Sequence, residues 1–310
     1  MLSEDLRRNI YPPLTRADNF FAFWEETLDL LNSTPCAIEI SDSQETNDGL
    51  ILKKVIFSSL DNTSIHGYLL TPKHNKPGPL IVYTHGYMGH CDVVWTWAKQ
   101  GASVLGIDIR GFGESKDAVL QISKHGYVLT GIESEKTSIL RGAVCDYIRG
   151  IQTAKELLRN KQQSTVLYGK SFGGALACIA AGLTHYADFL VAAVPTFSWA
   201  YGRRKLATKG SGEEINNFIK FHPDKEHQTM QVLSYFDTMN FAPLIKCSTL
   251  IGVGLQDPVV PAETIYAFVN HLNCSKQIRE FPVSHSSSPE EALWNGFEKE
   301  WMQLIMSEKS

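Results

Sequence analysis

The sequence predicts an α/β protein with a mostly parallel central sheet covered by helices on both faces. Short apolar runs alternate along the chain with longer segments in which apolar residues recur at helical spacing. The run 80–84 is almost continuously apolar, which is typical of a strand buried on both faces, and 102–107 is the next expected buried strand. The 310 residues are 43% apolar and 20% charged, enough to form a sizeable core.

The first expected element is a helix after the Pro-Pro pair at 12–13, with Thr15 or Asp18 as its N-cap. Its aromatic stripe of Phe20, Phe23 and Trp24 indicates core packing. The predicted strands cover 50–58, 65–71, 80–84, 102–107, 164–168, 189–194, 248–254 and 276–282, and the later helices cover 92–100, 138–158, 174–184, 261–272 and 289–307.

A long segment of about fifty residues separates the strands at 189–194 and 248–254. It contains a polar helix near 211–221 and the basic run 203–205, which indicates either a solvated helix face or part of a pocket. Excursions above the carboxyl ends of parallel strands often form lids or substrate pockets. We therefore expect a single domain over residues 1–310 with a lid-like insertion at about residues 195–247.

The net charge, the apolar runs and the cysteine spacing argue against nucleic-acid-binding, membrane and disulfide-rich proteins. The net charge of -4 offers no basic field for nucleic acid or an anionic membrane. The N-terminal stretch lacks the apolar core of a signal peptide, and no apolar run is long enough to span a bilayer. The six cysteines form no C-x-x-C pair, which favours reduced packing cysteines. The sequence thus predicts a cytoplasmic protein, and its composition does not indicate binding to nucleic acid or to a membrane.

The stretch 166–174, VLYGKSFGG, carries the strongest motif. It places Ser171 in a G-x-S-x-G turn between a strand and an apolar helix, which is the context of the nucleophile elbow in the α/β-hydrolase fold. Gly169 and Gly173 lack the Cβ that would clash in so tight a turn. The first turn of the helix directs its N–H groups toward the point where an oxyanion would form.

The chain also offers an acid and a base in the order this fold requires, Ser…Asp…His. Asp257 follows the strand at 248–254, and His285 follows the strand at 276–282. His285 would accept the proton of Ser171, and Asp257 would orient the imidazole. Asp237 is the alternative acid. We interpret His85, at the end of the strand 80–84, as structural or pocket-lining.

An oxyanion hole needs two N–H donors aimed at one point. The backbone N–H of Phe172 follows the nucleophile directly, and the second donor should come from the loop after the strand 80–84. The sequence predicts Tyr87 for that position.

Several further segments resemble the acetyl xylan esterase / cephalosporin C deacetylase family of α/β-hydrolases. The resemblance covers nearly the whole chain and includes DNFFAFWEETL (18–28), YTHGY (83–87), DIRG (108–111), Arg141-Gly142 with Asp146, the elbow 169–174, LSYFDTMN (233–240) and 254–261. It implies a serine esterase that removes acetyl groups from small sugars and cephalosporins, without metal or cofactor. It also implies the triad Ser171, Asp257 and His285, the oxyanion donors Tyr87 and Phe172, and a ring-like hexamer.

Three positions depart from the family pattern. Phe112 and Phe172 stand where the family usually has Gln, and Ser286 stands where it usually has Glu. Two phenylalanines near the site make its surroundings more apolar, and a buried methylene contributes about 0.8 kcal/mol. We therefore expect propionyl and butyryl esters to be accepted better than the family pattern suggests, unless both rings pack beneath the site.

Two other functions stay open. One is a broad carboxylesterase, or a lipase-like or peptidase-like α/β-hydrolase. The other is a binding protein with a hydrolase fold and little turnover, although the ordered Ser, Asp and His argue against it.

Overall fold

The computed structural model describes residues 7–73, 77–159 and 162–282, together with Trp301 and Ile305. Within this part of the chain, nine strands form one mixed sheet in the order β1-β2-β3-β5-β4-β6-β7-β8-β9. Strands β1, β2, β3 and β5 pair antiparallel, whereas β5, β4, β6, β7, β8 and β9 form a parallel block. The predicted α/β architecture is confirmed.

The strands are β1 (Glu39–Glu45), β2 (Leu50–Ser58), β3 (Ser64–Pro72), β4 (Leu80–Thr84), β5 (Ser103–Asp108), β6 (Thr165–Lys170), β7 (Phe189–Ala193), β8 (Ser248–Gly254) and β9 (Lys276–Phe281). The helices are α1 (Phe20–Ser33), α2 (Trp95–Lys99), α3 (Ile139–Leu157), α4 (Phe172–Leu183), α5 (Ala200–Leu206), α6 (Gly210–Phe221), α7 (Glu226–Ser234) and α8 (Ala262–Asn270).

Side chains on the two faces of the sheet enter two separate cores. Leu80 and Val82 of β4 join the larger cluster with α1, α3, α4 and α8. Ile81 and Tyr83, which alternate with them, join the smaller cluster with α2. Successive strand residues point to opposite faces, so helices cover both sides of the sheet. Of the helix predicted at 289–307, only Trp301 and Ile305 are described; both are helical and buried in the smaller cluster.

The N-terminal helix differs from the prediction in its cap. Asn19 is the N-cap and makes no side-chain capping bond, so neither Thr15 nor Asp18 has that role. The backbone N–H of Thr15 instead donates to Asn240 Oδ1 at 2.9 Å, which draws the chain before α1 toward a distant loop. The aromatic stripe is buried as predicted, including Phe20, Phe23 and Trp24.

The segment at residues 195–247, which we call the inserted segment, folds into α5, α6, α7 and short 3-10 turns. The backbone N–H groups of Thr208 and Lys209 donate to the carbonyl of Pro258, at 3.0 and 3.3 Å. This contact joins the inserted segment to the loop that follows β8. The inserted segment therefore lies beside the carboxyl end of β8, at the edge of the sheet where Ser171 also lies.

Among the described helices, none combines the length and the apolar character needed to cross a membrane.

Candidate active site

Ser171 lies in a strained turn at the carboxyl end of β6. Its φ of 51° and ψ of -110° place it in a region that non-glycine residues rarely occupy, at a cost on the order of 1–3 kcal/mol. Its N–H donates to the carbonyl of Ala193 at 2.8 Å, and its carbonyl accepts from Thr196 at 3.1 Å. Hydrogen bonds to the neighbouring strand and its loop thus hold the strained conformation of the predicted nucleophile.

The two elbow glycines are required by close backbone packing. A Cβ on Gly169 would lie 2.2 Å from the carbonyl carbon of Gly173. A Cβ on Gly173 would lie 2.5 Å from the carbonyl oxygen of Thr84 and 2.9 Å from that of His85. Since every blocking atom belongs to the backbone, no side-chain movement would make room. These contacts bring the start of α4 directly against the end of β4.

The two predicted oxyanion donors lie on those touching elements. Phe172 is the first residue of α4, where a backbone N–H has no carbonyl partner within the helix. Tyr87 lies in the loop after β4, and the ring centroids of Tyr87 and Phe172 are 6.0 Å apart. The structure therefore brings Tyr87 and Phe172 together beside Ser171.

His85 is buried and has a structural role, which is one of the two roles that the sequence left open. Its Nε2 accepts from the backbone N–H of Ile109 at 3.2 Å, and its Nδ1 lies 2.7 Å from the carbonyl of Gly86. This pairing assigns the proton to Nδ1 of a neutral imidazole. Burial also lowers the pKa of His85. The side chain fixes the path of the loop that carries Tyr87.

Asp257 follows β8 on the same edge of the sheet, separated from β6 by β7. Its side chain is 6% exposed, and Oδ1 accepts from the backbone N–H groups of Val259 and Val260 at 2.8 and 3.0 Å. These bonds fix the carboxylate against its own loop. His285, the predicted base, and Ser286 lie outside the described residues. The preceding strand β9 pairs with β8 up to Gly254 and Phe281.

Asp237, the alternative acid, serves as a backbone cap. Oδ1 accepts from Trp199 and Met239 at 2.8 and 3.0 Å, and Oδ2 accepts from Ala200 at 2.7 Å. Burial raises its pKa to about 6, although these N–H donors and the charge of Arg203 oppose that rise. Both oxygens therefore hold the start of α5 and the turn after residue 237.

The basic run 203–205 is divided between interior and solvent. Arg203 is only 4% exposed, whereas Lys205 is exposed. Arg203 Nη2 donates to Ser211 Oγ at 2.9 Å, and its guanidinium lies 5.4 Å from the ring centre of Phe197. Burial lowers the pKa of Arg203 to about 10, so the side chain stays charged at neutral pH. A solvated face is thus the wrong interpretation for Arg203 and the right one for Lys205.

One side-chain hydrogen bond near the site could not be predicted from the sequence. Tyr87 Oη donates to Glu214 Oε2 on α6 at 2.7 Å, across 127 positions of the chain. Glu214 is half-buried, and burial raises its pKa. Because the predicted helix near 211–221 carries many polar residues, its sequence does not distinguish Glu214 from the solvated ones.

The two phenylalanines at departures from the family pattern lie in an aromatic cluster. Phe172 is fully buried, and its ring centroid lies within 6.1 Å of those of Tyr87, Phe112, Tyr127 and Phe197. Phe112 is nearly buried and packs 4.4 Å from the ring of Tyr127. Both rings therefore support the elbow and the loop of Tyr87 by packing.

A nine-stranded sheet with a strained serine between β6 and α4 defines the class of protein as an α/β-hydrolase. Residues 6–297 match the sequence pattern of the acetyl xylan esterase family. The chain belongs to that family and is a carboxylic ester hydrolase.

Individual relatives agree with this assignment. The acetyl esterase Axe7A of Xylanibacter ruminicola is 24% identical over 313 residues, which cover 96% of this chain and 68% of that protein. The structure of an acetyl xylan esterase from Paenibacillus sp. R4 is 27% identical, with a TM-score of 0.85, covering 96% of this chain and 99% of that one. Acetyl xylan esterase 1 from Thermoanaerobacterium sp. JW/SL YS485 is 22% identical and has the same fold, with a TM-score of 0.89 over 100% and 99% of the two chains.

Proposed function

We propose that this enzyme removes acetyl and other short acyl groups from small esters, with acetylated sugars as the principal substrate class. The observation that carries the proposal is Ser171, held at a φ of 51° in the elbow at the carboxyl end of β6. Membership of the acetyl xylan esterase family supports the acetyl group as the acyl part. The names of its relatives support a sugar as the alcohol part.

In the proposed reaction, His285 accepts the hydroxyl proton as Ser171 Oγ attacks the carbonyl carbon of the ester. The carbonyl oxygen becomes an oxyanion, which the N–H groups of Tyr87 and Phe172 stabilise. The ester C–O bond then breaks, His285 returns its proton to the leaving alcohol, and the acyl group stays on Ser171. Asp257 orients the imidazole and stabilises its cation.

Water completes the cycle. His285 takes a proton from a water molecule as the water oxygen attacks the carbonyl carbon of the acyl-enzyme. The bond to Ser171 Oγ breaks, His285 protonates that oxygen, and the free acid leaves. No metal or cofactor enters either half of this proposed reaction.

The inserted segment serves as a lid in this proposal. Its Thr208 and Lys209 bind the loop of Asp257 through Pro258, and its Glu214 binds Tyr87. It thus borders two of the loops assigned to catalysis. We also assign the enzyme to the cytoplasm, an assignment supported by six free cysteines, of which Cys145 and Cys178 are buried.

The direct test is hydrolysis of acetylated xylo-oligosaccharides, cephalosporin C and p-nitrophenyl acetate by wild type, Ser171→Ala and His285→Ala. We expect each substitution to lower kcat by roughly 10⁴–10⁶, and the double variant to be little worse, because the pair acts as a unit. Ser33→Ala is the matched control, since Ser33 is exposed and its hydroxyl donates to the carbonyl of Leu30 within α1. Folded wild type without turnover on any ester would favour the binding protein instead.

Acyl preference is a separate part of this test. The sequence predicts tolerance of propionyl and butyryl esters, because Phe172 replaces a polar residue beside the nucleophile. The full burial of Phe172 supports the alternative, in which its ring only packs beneath the site. Values of kcat/KM for the acetate, propionate and butyrate esters, measured on wild type and Phe172→Gln, decide between them. A steep acetate preference that Phe172→Gln leaves unchanged would reject the tolerance.

A further inference from the structure

The side chain of Tyr87 is held at both its ring and its hydroxyl. The ring packs edge to face against Phe112 and Phe172, with centroids 6.0 Å away in each case. The hydroxyl donates to Glu214 Oε2 at 2.7 Å. A tyrosine whose backbone is assigned to an oxyanion hole is thus fixed by three separate elements.

Glu214 reaches this hydroxyl through a notch left by a glycine. Gly126 has a φ of +124°, and a Cβ there would lie 2.2 Å from Glu214 Oε2. The notch lets the carboxylate approach the backbone closely and reach Tyr87. The side chain of Glu214 is therefore half-buried and packed against Gly126, whereas its neighbour Glu213 is exposed on the same helix.

Buried positive charge balances this carboxylate. The charge of Arg203 on α5 acts on both Glu214 and Tyr87. Arg203 is itself anchored by Ser211, at 2.9 Å from Nη2 to Oγ. Burial raises the pKa of Glu214, and the charge of Arg203 opposes that rise. The Tyr87–Glu214 hydrogen bond thus links the inserted segment to the loop after β4.

We infer that Glu214 is a positioning residue for ester hydrolysis: it holds the Tyr87 hydroxyl and so fixes the direction of the Tyr87 backbone N–H. This inference rests on the proposed function, in which that N–H stabilises the oxyanion. Glu214 does not touch the substrate. Glu214 would affect the rate of hydrolysis because oxyanion donors stabilise a transition state best when they are already in place before the reaction.

The test compares Glu214→Ala with the matched control Glu213→Ala. We expect Glu214→Ala to lower kcat for p-nitrophenyl acetate about 10-fold, less than the 10²–10³ lost when an oxyanion donor is removed entirely. KM should change less than about twofold, because the interaction is made in the transition state. The inhibition constant of methylboronic acid, which forms a tetrahedral adduct with a serine, should rise by a similar factor.

Two further variants separate positioning from general stability. Glu214→Gln keeps an acceptor for the Tyr87 hydroxyl, so it should recover part of the lost kcat. Tyr87→Phe removes the same bond from the other side and should match Glu214→Ala, and the double variant should be no slower than either single one. If Glu214→Ala does not fold, Tyr87→Phe and Glu214→Gln carry the test.

Wild-type kcat and boronate inhibition in folded Glu214→Ala or Tyr87→Phe would overturn the inference. Additive losses in the double variant would also overturn it. Failure of the proposed function is distinguishable, because then wild type would show no hydrolysis that depends on Ser171.

Discussion

Two buried aspartates near the site differ in what their oxygens do. Asp237 uses both oxygens to cap the backbone of the inserted segment, where Trp199 has a left-handed φ of 50°. Asp257 follows β8 on the catalytic edge of the sheet and uses Oδ1 to hold its own loop. These contacts suit Asp237 to a structural role and favour Asp257 as the acid of the proposed triad.

The first prediction separates these roles by the same substitution at both positions. Asp257→Asn should lower kcat on the order of 10³–10⁴, because Asn stabilises the wrong tautomer of the histidine. Asp237→Asn should instead lower the free energy of unfolding by about 1–3 kcal/mol, since an amide N–H₂ would face a backbone donor. Kinetics and urea unfolding of both variants test this. A greater loss of kcat in Asp237→Asn than in Asp257→Asn would reverse the assignment.

The pH dependence of unfolding gives a separate test of the pKa of Asp237 and of its contribution to stability. Its pKa is raised from 3.8 to about 6 in the folded state, so the folded protein binds more protons between these values. The contribution of Asp237 to stability is therefore present at low pH and is lost as the pH rises through about 6. The stability difference between wild type and Asp237→Asn should shrink on the order of 1 kcal/mol from pH 5 to pH 7. A constant difference would contradict the raised pKa.

At the scale of elements, the site depends on how closely α4 approaches β4. The helix begins directly after Ser171, and Gly173 lies against the carbonyl oxygens of Thr84 and His85. This approach places the N-terminus of α4 next to the loop of Tyr87. The elbow therefore sets the distance between the two elements that carry the proposed oxyanion donors.

The second prediction concerns this approach. Gly173→Ala should lower the free energy of unfolding by about 1–3 kcal/mol or more, because α4 must move away from β4 to admit a methyl group. Activity should fall as well, since the N–H of Phe172 moves with the helix. Urea unfolding provides the measurement, and Gly86→Ala is the control for stability because nothing lies within 4 Å of a Cβ there. Equal midpoints for Gly173→Ala and wild type would show that the helix can adapt.

At the scale of the molecule, the N-terminal helix α1 packs against the part of the inserted segment that follows α7. Trp24 Nε1 donates to the carbonyl of Tyr235 at 3.1 Å, and its ring lies 5.8 Å from Phe236 and 5.7 Å from Phe241. Arg141 on α3 donates to Thr27 Oγ1 at 2.9 Å. Helix α1 thus joins the inserted segment to the core of the sheet.

The third prediction tests that role. Trp24→Ala should lower the free energy of unfolding by about 3–5 kcal/mol, because it removes a fully buried ring and leaves a cavity. Phe21→Ala is the matched control, since that ring on the same helix is 56% exposed. Denaturant unfolding of both variants measures the difference. Similar losses in the two variants would show that α1 contributes little to the core.

The sequence by itself determined the order of strands β2 to β9 and of helices α1 to α4, α6 and α8, together with the elbow at Ser171 and the position of Asp257 after β8. These features are encoded locally, in apolar periodicity and in the glycines of a tight turn. It did not predict β1, because all seven of its residues are exposed and lack an alternating apolar pattern. It also did not predict the helices α5 and α7 of the inserted segment.

Only the tertiary structure decided the burial of Arg203, the capping role of Asp237 and the hydrogen bond between Tyr87 and Glu214. Each depends on residues brought together from distant parts of the chain, such as the 127 positions that separate Tyr87 from Glu214. Local sequence sets which residues share a face of a helix, but packing between elements decides which of those faces is buried. A charged residue on a polar helix therefore gains its partner, and its role, only when the fold is complete.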